Sequence, residues 1–337
     1  MRLPRLAIQH PSPPSPVLED PPHHLRDGTP SAPKPHPPTP LQFVIAEMIR
    51  LWFEDFWADF DPKNNFFTHT FDVCGIKYKL TKLWPEVLIY SVFGDRHKKF
   101  KCRKLFYTGE NVKPDFNACD FAISFDTTSD PRNLRLPVYI YHAWYQSRGL
   151  GLAEGTESML QILLNRVNEN AYPEPRERFC SFIFGNGKPQ RRNQFFQALS
   201  AHKAVDSAGK WMNNTGYKVD NKIKFLHNYK FNIAFENESS HGYTTEKILD
   251  PLLAGAIPIY WGNPDVAKDF SPDSYINAMD FESDEELIET ILTIDKDDEL
   301  FRRYQRAACF TNNEPTPYWD MGRLDRFYRQ AFGLSAA

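Results

Sequence analysis

Three short segments of this chain gather the residue types that acid–base and anion chemistry require. The first is Thr108-Gly109-Glu110-Asn111, directly after the apolar run Lys104 to Tyr107. Its glycine lets the chain turn and leaves a carboxylate where a sheet would end. Glu110 fits a general base there, although a lone Glu in a turn is more often a solvated carboxylate or the acid of a helix start. The second is Pro189-Gln190-Arg191-Arg192-Asn193, at the opening of a helical pattern. The planar fork of arginine suits a phosphate, and two cations at a helix N-terminus oppose the helix dipole, so a merely solvated role explains them poorly. The third and richest runs from Phe231 to Asp250, a buried strand passing through Glu236-Asn237 into a polar loop with Gly242-Tyr243 and a helix that opens at Thr244 or Thr245. Free backbone N–H groups at such a helix start attract an anion, and Lys247 adds a full charge beside them. Glu246 can accept hydrogen bonds from sugar hydroxyls, Asn237 can donate and accept, and Tyr243 offers an aromatic face with a polar tip. The plainer alternative makes Glu246 a first-turn helix acid and Lys247 a solvated residue.

These segments need a scaffold, and the surrounding pattern supplies one. Short apolar runs at Phe43 to Ala46, Glu86 to Tyr90, Lys104 to Tyr107, Phe121 to Phe125 and Val138 to Tyr141 have the length and composition of buried parallel strands. The pattern pauses over a polar stretch from Asn168 to Arg178 and resumes at Phe179 to Phe184, Phe231 to Phe235, Ile257 to Trp261 and Tyr275 to Met279. Helical periodicity occupies Gln190 to Lys203, Thr244 to Ala254, Asp284 to Thr293 and Asp298 to Ala308, and Leu324, Phe327 and Tyr328 are spaced for a closing helix. Alternation of strand and helix predicts two doubly wound α/β domains, residues 41–170 and 171–320, with a C-terminal helix and tail at 321–337. In open sheets of this kind ligands bind outside the carboxyl ends of the strands, so the cleft between two such domains is the expected site.

Composition narrows the function. The 337 residues are 41% hydrophobic and 25% charged, as for a folded soluble protein, and a formal charge of −3 supplies no broad basic field, which argues against a nucleic-acid partner. Five widely spaced cysteines without a CxxC pair point to neither a disulfide framework nor a structural zinc, and read as reduced, mostly buried thiols. No apolar run is long enough for a secretory signal or a spanning helix. Residues 1–40 hold thirteen of the 27 prolines and four histidines with few large apolar side chains, a composition that predicts a disordered tail acting as linker or docking arm, or an incidental extension.

Phe231 to Asn237, then Gly242-Tyr243-Thr244-Thr245-Glu246-Lys247-Ile248 and Ala254 to Gly262, resemble the donor-binding signature of the α-1,3/1,4-fucosyltransferases, glycosyltransferase family 10. Lys104 to Asn111 with Asn117 to Asp126 resembles the acceptor-domain segment of the soluble bacterial members, and Arg191-Arg192-Asn193 resembles their phosphate-contacting segment. The similarity runs from Leu41 to Tyr318 and is weaker at 150–172 and 206–217. It implies a GT-B architecture, an N-terminal acceptor domain facing a C-terminal domain that binds GDP-fucose. Carried over residue by residue, Glu110 matches the catalytic base and Arg192 the arginine on the diphosphate. Asn237, Tyr243, Glu246 and Lys247 match nucleotide-sugar contacts, Glu246 on the ribose and Lys247 on the phosphate.

The implied reaction is an inverting transfer of fucose from GDP-fucose to a hydroxyl of an N-acetyllactosamine-like glycan. Glu110 takes the hydroxyl proton while Arg192, Lys247 and the helix start hold the leaving diphosphate. Another GDP-sugar donor on the same fold, or a catalytically silent nucleotide-sugar or glycan-binding protein, are the alternatives. Asp59-Phe60-Asp61 has the spacing of a metal-binding Asp-x-Asp, but it sits among early aromatics before Pro62 and reads as a solvated turn. No tightly bound metal is expected, which leaves room for stimulation by Mg2+ or Mn2+. Trp52, Phe53, Phe56 and Trp57 are at helical spacing and fit core or a sugar-stacking platform. Two features depart from the family pattern: Pro251 should kink the donor-site helix near Lys247, and no heptad or basic amphipathic tail follows Phe332. A cytoplasmic monomer, peripheral at most to the inner membrane face, is the corresponding expectation, with a Golgi lumen location requiring an anchor outside this chain.

Overall fold

Short β-branched and aromatic runs alternate with amphipathic helices along the chain, and in the computed structural model they build two parallel sheets. The structure describes residues 48–149, 156–172 and 174–335. The expected tail at 1–40 and the run Phe43 to Ala46 lie outside the described residues.

The first half contains β1 (Ile49–Glu54), α1 (Phe66–Val73), β2 (Tyr78–Leu80), β3 (Val87–Tyr90), β4 (Arg103–Tyr107), β5 (Phe121–Ser124), β6 (Asn133–Arg135), α2 (Val138–Gly149) and α3 (Thr156–Leu164). The second contains β7 (Arg178–Phe182), α4 (Gln190–His202), β8 (Val205–Ser207), α5 (Lys222–Leu226), β9 (Tyr229–Phe235), α6 (Glu246–Ala254), β10 (Ile257–Trp261), β11 (Ile276–Asn277), α7 (Asp284–Lys296), α8 (Asp298–Gln305) and α9 (Met321–Phe332). The six-stranded sheet has the order β2-β1-β3-β4-β5-β6 and the five-stranded one β11-β10-β9-β7-β8. Every strand pair is parallel, so each sheet gathers its carboxyl ends, and the loops that follow them, along one edge.

In the first sheet, Leu51, Phe53, Ile89, Leu105 and Ile123 share a core with Phe66, Phe67 and Phe71 of α1, with α2 and with α9. On the opposite face Leu88, Tyr90, Phe106 and Ala122 lie under Phe100 and Phe116 from connecting segments. In the second sheet, Phe231, Ile233 and Phe235 pack with α4, α7 and α8, while Ala234 faces the core that includes α6. This is the two-faced alternation that a central strand requires. Helix α9 follows the second sheet in sequence but packs on the first: the Tyr328 hydroxyl lies 3.0 Å from that of Thr70, and Arg103 donates to the Ala331 carbonyl.

Three expectations of local structure are corrected. Val138 to Tyr141 opens helix α2 rather than forming a strand. Pro137 precedes it, and the buried residues Tyr139, Ile140, Ala143 and Trp144 share one face at helical period, which a four-residue apolar run is too short to show. Conversely, the helical spacing of Trp52, Phe53, Phe56 and Trp57 is coincidental. Trp52 and Phe53 lie on β1, the chain turns at Asp55 with φ of 60°, and Phe56 stacks on Phe60 at 4.0 Å beyond the turn. Tyr275 to Met279 is a strand only at Ile276–Asn277 and then enters a 3-10 turn. Asp59 and Asp61 are both exposed, and Asp61 accepts the Lys63 N–H in a tight turn. Among the described residues no helix is long and apolar enough to cross a membrane.

Candidate functional site

Strand β9 delivers Glu236 and Asn237 at its carboxyl end, and the chain returns through Gly242, Tyr243 and Thr244 to Thr245, the N-cap of α6. The Thr245 side chain accepts the Lys247 N–H, the arrangement that satisfies a first-turn donor of a helix. Glu236 is fully buried and is held by three groups. It accepts the Thr245 N–H at 2.8 Å and the Thr245 hydroxyl at 2.8 Å, and it pairs with the Lys247 ammonium at 3.1 Å. Lys247 also lies 3.5 Å from Glu246 and donates to Thr245 Oγ1 at 3.1 Å. A close approach makes this packing possible: Gly262, at the end of β10 with φ of 157°, lies so near that a Cβ would stand 2.3 Å from Glu236 Cγ.

The electrostatics follow from this geometry. Burial pushes the Glu236 carboxyl up, and Lys247 only partly opposes it. Burial also disfavours the charged forms of Glu246 and Lys247, but their mutual attraction wins. Glu246 is held well below the usual carboxylate range by Lys247, His142 and Lys222, and Lys247 is raised by Glu236 and Glu246. Both stay ionised at neutral pH. Pro251 lies inside α6, yet the helix is continuous from Glu246 to Ala254 and Lys247 is anchored by its cap and by Glu236. The carbonyls at the far end are taken up by Arg166, Arg176 and Gln305.

Helix α4 contributes Arg192, which is 1% exposed. Its guanidinium donates to Asn237 Oδ1 at 2.8 Å and to the Asn186 carbonyl, and it lies 4.0 Å over the Phe184 ring. Its Nε–H has no partner, and it forms no ion pair among the described residues. Burial lowers it to about 10, against the pull of Glu236 and Glu246, so it is a cation at neutral pH. Its neighbour Arg191 does something else: it forms a bidentate pair with Asp284 at 2.9 and 2.6 Å, tying α4 to α7.

Glu110 stands on the loop after β4, its side chain exposed. Thr108 shapes that loop by exchanging hydrogen bonds with the Glu110 backbone N–H and carbonyl, at 2.9 and 3.0 Å. Tyr243 is buried, its ring packs edge-on against Phe125, and its hydroxyl donates to the Gly109 carbonyl at 3.3 Å. Asn111 donates to Glu238 at 2.9 Å. The Glu110 loop is thereby fastened to the loop between Asn237 and Tyr243, and all six sequence-predicted residues fall in one neighbourhood. Arg192 and Asn237 touch directly, Glu246 and Lys247 pair, and Tyr243 joins Glu110's loop to theirs.

Sequence reasoning gave no role to Glu236, Arg135, Asn263 or Asp269. Arg135, on β6 of the first sheet, forms a bidentate pair with Asp269 of the second half at 2.9 and 3.0 Å and donates to the Gly242 carbonyl at 3.3 Å. Asp269, 1% exposed, also accepts the Thr244 hydroxyl at 2.5 Å. Asn263 completes the network, donating to Thr244 Oγ1 and accepting the Gly242 N–H. Gly242, with φ of 80°, brings this loop so close to the first half that a Cβ would lie 2.5 Å from the Phe125 carbonyl. The network fixes the loop that feeds α6 and clamps it to the opposite sheet. Arg135→Ala leaves Asp269 buried with Thr244 as its remaining side-chain donor. It is expected to cost about 3–5 kcal/mol, read from the urea midpoint at unchanged m-value.

Two parallel α/β halves with their loops meeting over a buried cationic site define a GT-B type fold, and a crystal structure of an α1,3-fucosyltransferase matches it with a TM-score of 0.72 at 27% identity, over 86% of this chain and 91% of that one. A crystal structure described as α1,3-fucosyltransferase with GDP-fucose matches with a TM-score of 0.69 over the same shares. The model for the glycosyltransferase family 10 (fucosyltransferase) C-terminal region matches residues 174–318, and that for the α-(1,3)-fucosyltransferase FucT N-terminal domain matches residues 51–142. The chain belongs to glycosyltransferase family 10. It is 31% identical over 280 residues to α-(1,3)-fucosyltransferase FucT of Helicobacter pylori, covering 75% of this chain and 57% of that protein. It is 34% identical over 167 residues to GDP-fucose protein O-fucosyltransferase 3 of Bos taurus, covering 45% of this chain and 34% of that one. The chain thus spans from about a third to just over half the length of these two relatives.

Proposed function

We propose that this protein is an inverting α-1,3 fucosyltransferase that moves fucose from GDP-fucose to a GlcNAc hydroxyl of an N-acetyllactosamine-like glycan. The observation that carries the reading is Arg192, a buried cation with an unpartnered N–H and no carboxylate counter-ion among the described residues. Such a charge calls for an anion. Lys247 and the start of α6 lie in the same electrostatic neighbourhood, as required to hold a diphosphate whose negative charge grows as the sugar leaves. Glu246, ionised and partly exposed, is the hydrogen-bond acceptor for the ribose hydroxyls. Glu110 faces the acceptor side and takes the proton of the attacking hydroxyl. A single displacement inverts the anomeric centre, so one carboxylate base suffices. Arg192 and Lys247 supply the positive charge of the donor site, and no step calls for a tightly bound metal.

The test is transfer from GDP-[14C]fucose to N-acetyllactosamine, with lactose, a lipid-linked glycan and an unglycosylated protein substrate run in parallel. Labelled N-acetyllactosamine whose fucose has the anomeric configuration opposite to that in GDP-fucose supports the reading. Label on the protein alone would replace the acceptor, and no binding of GDP-fucose by calorimetry would remove the donor assignment.

A further inference from the structure

Between residues 77 and 104 the chain carries nine lysines and arginines against two carboxylates, although its formal charge as a whole is −3. Within that segment, the connection between β2 and β3 presents Leu83 at 77% exposure and Trp84 at 85%. Both ends of the connection are pinned to β1: the Thr81 N–H donates to the Leu51 carbonyl at 2.9 Å and the Glu86 N–H to the Arg50 carbonyl at 2.8 Å. The Thr81 hydroxyl accepts the Leu83 N–H and donates to its carbonyl, and Trp84 has φ of 54° just before Pro85. A bulky residue in the left-handed region costs energy, and here the strain displays an indole to solvent instead of burying it.

Two of these basic residues meet on one carboxylate beside the tip. Lys82 Nζ lies 2.7 Å from Glu54 Oε1 and 6.0 Å over the Trp52 ring, and Arg96 approaches the other oxygen of Glu54 at 3.9 Å. Glu54 therefore ties the Leu83-Trp84 tip to the 3-10 turn Arg96–Lys99, in which Lys98 and Lys99 are exposed. We propose that the Leu83-Trp84 tip, with Lys82 beside it and the basic turn Arg96–Lys99 tied to it through Glu54, docks on an anionic phospholipid bilayer. An aliphatic and an indole side chain on a rigid turn suit the headgroup–acyl boundary, and Lys82 with the exposed lysines of the linked turn suits acidic headgroups. Nucleic acid fits less well, because Leu83 offers a base neither a stacking face nor a hydrogen bond. Glu54 ends β1 at the same edge of the sheet where β4 delivers the Glu110 loop, so docking would hold the acceptor side of the cleft near the lipid surface.

The experiment is co-sedimentation of the full chain with phosphatidylcholine vesicles and with vesicles that also contain phosphatidylglycerol, for the parent, Trp84→Ser, and Lys98→Glu with Lys99→Glu. The parent should bind the phosphatidylglycerol vesicles and release them as salt is raised, and each variant should bind about tenfold more weakly while keeping the parent's circular dichroism. Because Trp84, Lys98 and Lys99 are exposed, a folding defect is not expected to intervene. The proposal is overturned if the parent ignores anionic vesicles, if it binds neutral vesicles equally well, if both variants bind like the parent, or if duplex DNA is bound in preference to the vesicles.

Discussion

Glu110→Gln is expected to lower fucosyl transfer by roughly 10²–10⁴-fold, the range a positioned general base supplies, with GDP affinity and fold stability unchanged. Glutamine keeps the shape and hydrogen-bonding reach of the side chain but cannot accept the proton of the attacking hydroxyl. Stability should move by no more than about 0.5 kcal/mol, because the carboxylate is exposed and the turn around it is held by backbone bonds to Thr108. GDP affinity should hold because the cations, Arg192 and Lys247, are contributed by α4 and α6. Steady-state transfer, a urea titration and calorimetry with GDP separate the three quantities. Loss of GDP binding alongside transfer would make Glu110 a donor contact, and transfer at the parent rate would leave the base to be found elsewhere.

The residues that open α6 are legible in the sequence because their capping partners are near in it. Thr245, Glu246 and Lys247 declare a helix start after a strand and a polar loop, and the structure caps α6 at Thr245. Residue type and spacing mark Arg191 and Arg192 as a pair at a helix start without dividing it, and only the family resemblance singles out Arg192. Which arginine turns inward and which reaches Asp284 depends on α7, nearly a hundred residues away. Glu236 was hidden for a related reason. An acid at the end of an apolar strand reads as solvated until the neighbouring strand is known to end in Gly262, whose missing side chain leaves room for it. Arg135 and Asp269 are 134 positions apart and carry no motif, so their pairing emerges only when the two sheets meet. Secondary structure shows the same limit. β3, β4, β9 and β10 are built on apolar runs long enough to predict strands, whereas β2, β6 and β8 are three-residue strands without such a run, held in the sheets by their neighbours.

Lys247→Met tests the charge arrangement of the donor site from inside the protein. Methionine preserves much of the side chain's length but leaves Glu236 buried with only Thr245 to satisfy it, so a loss of about 3–5 kcal/mol is expected at neutral pH. GDP affinity should fall by at least about tenfold if Lys247 makes the charge-assisted contact to the diphosphate proposed above. The pH dependence distinguishes this cause from simple loss of packing. In the parent, the raised pKa of Lys247 contributes stability that is fully present at neutral pH and lost only as pH rises through its alkaline folded value. In the variant, Glu236 lacks its cation and burial drives its carboxyl further up, so the destabilisation is greatest where that carboxyl must ionise and is relieved as falling pH protonates it. The stability difference between parent and variant should therefore be largest near about pH 8 and shrink toward about pH 5, measured by urea unfolding across that range. Adding Glu236→Gln to Lys247→Met should restore part of the stability at neutral pH, because neither side chain is then left as an uncompensated charge, while GDP affinity stays low. A pH-independent difference, or a double variant less stable than the single, would mean that Lys247 supports the fold through its methylene stem and that its pairing with Glu236 is incidental.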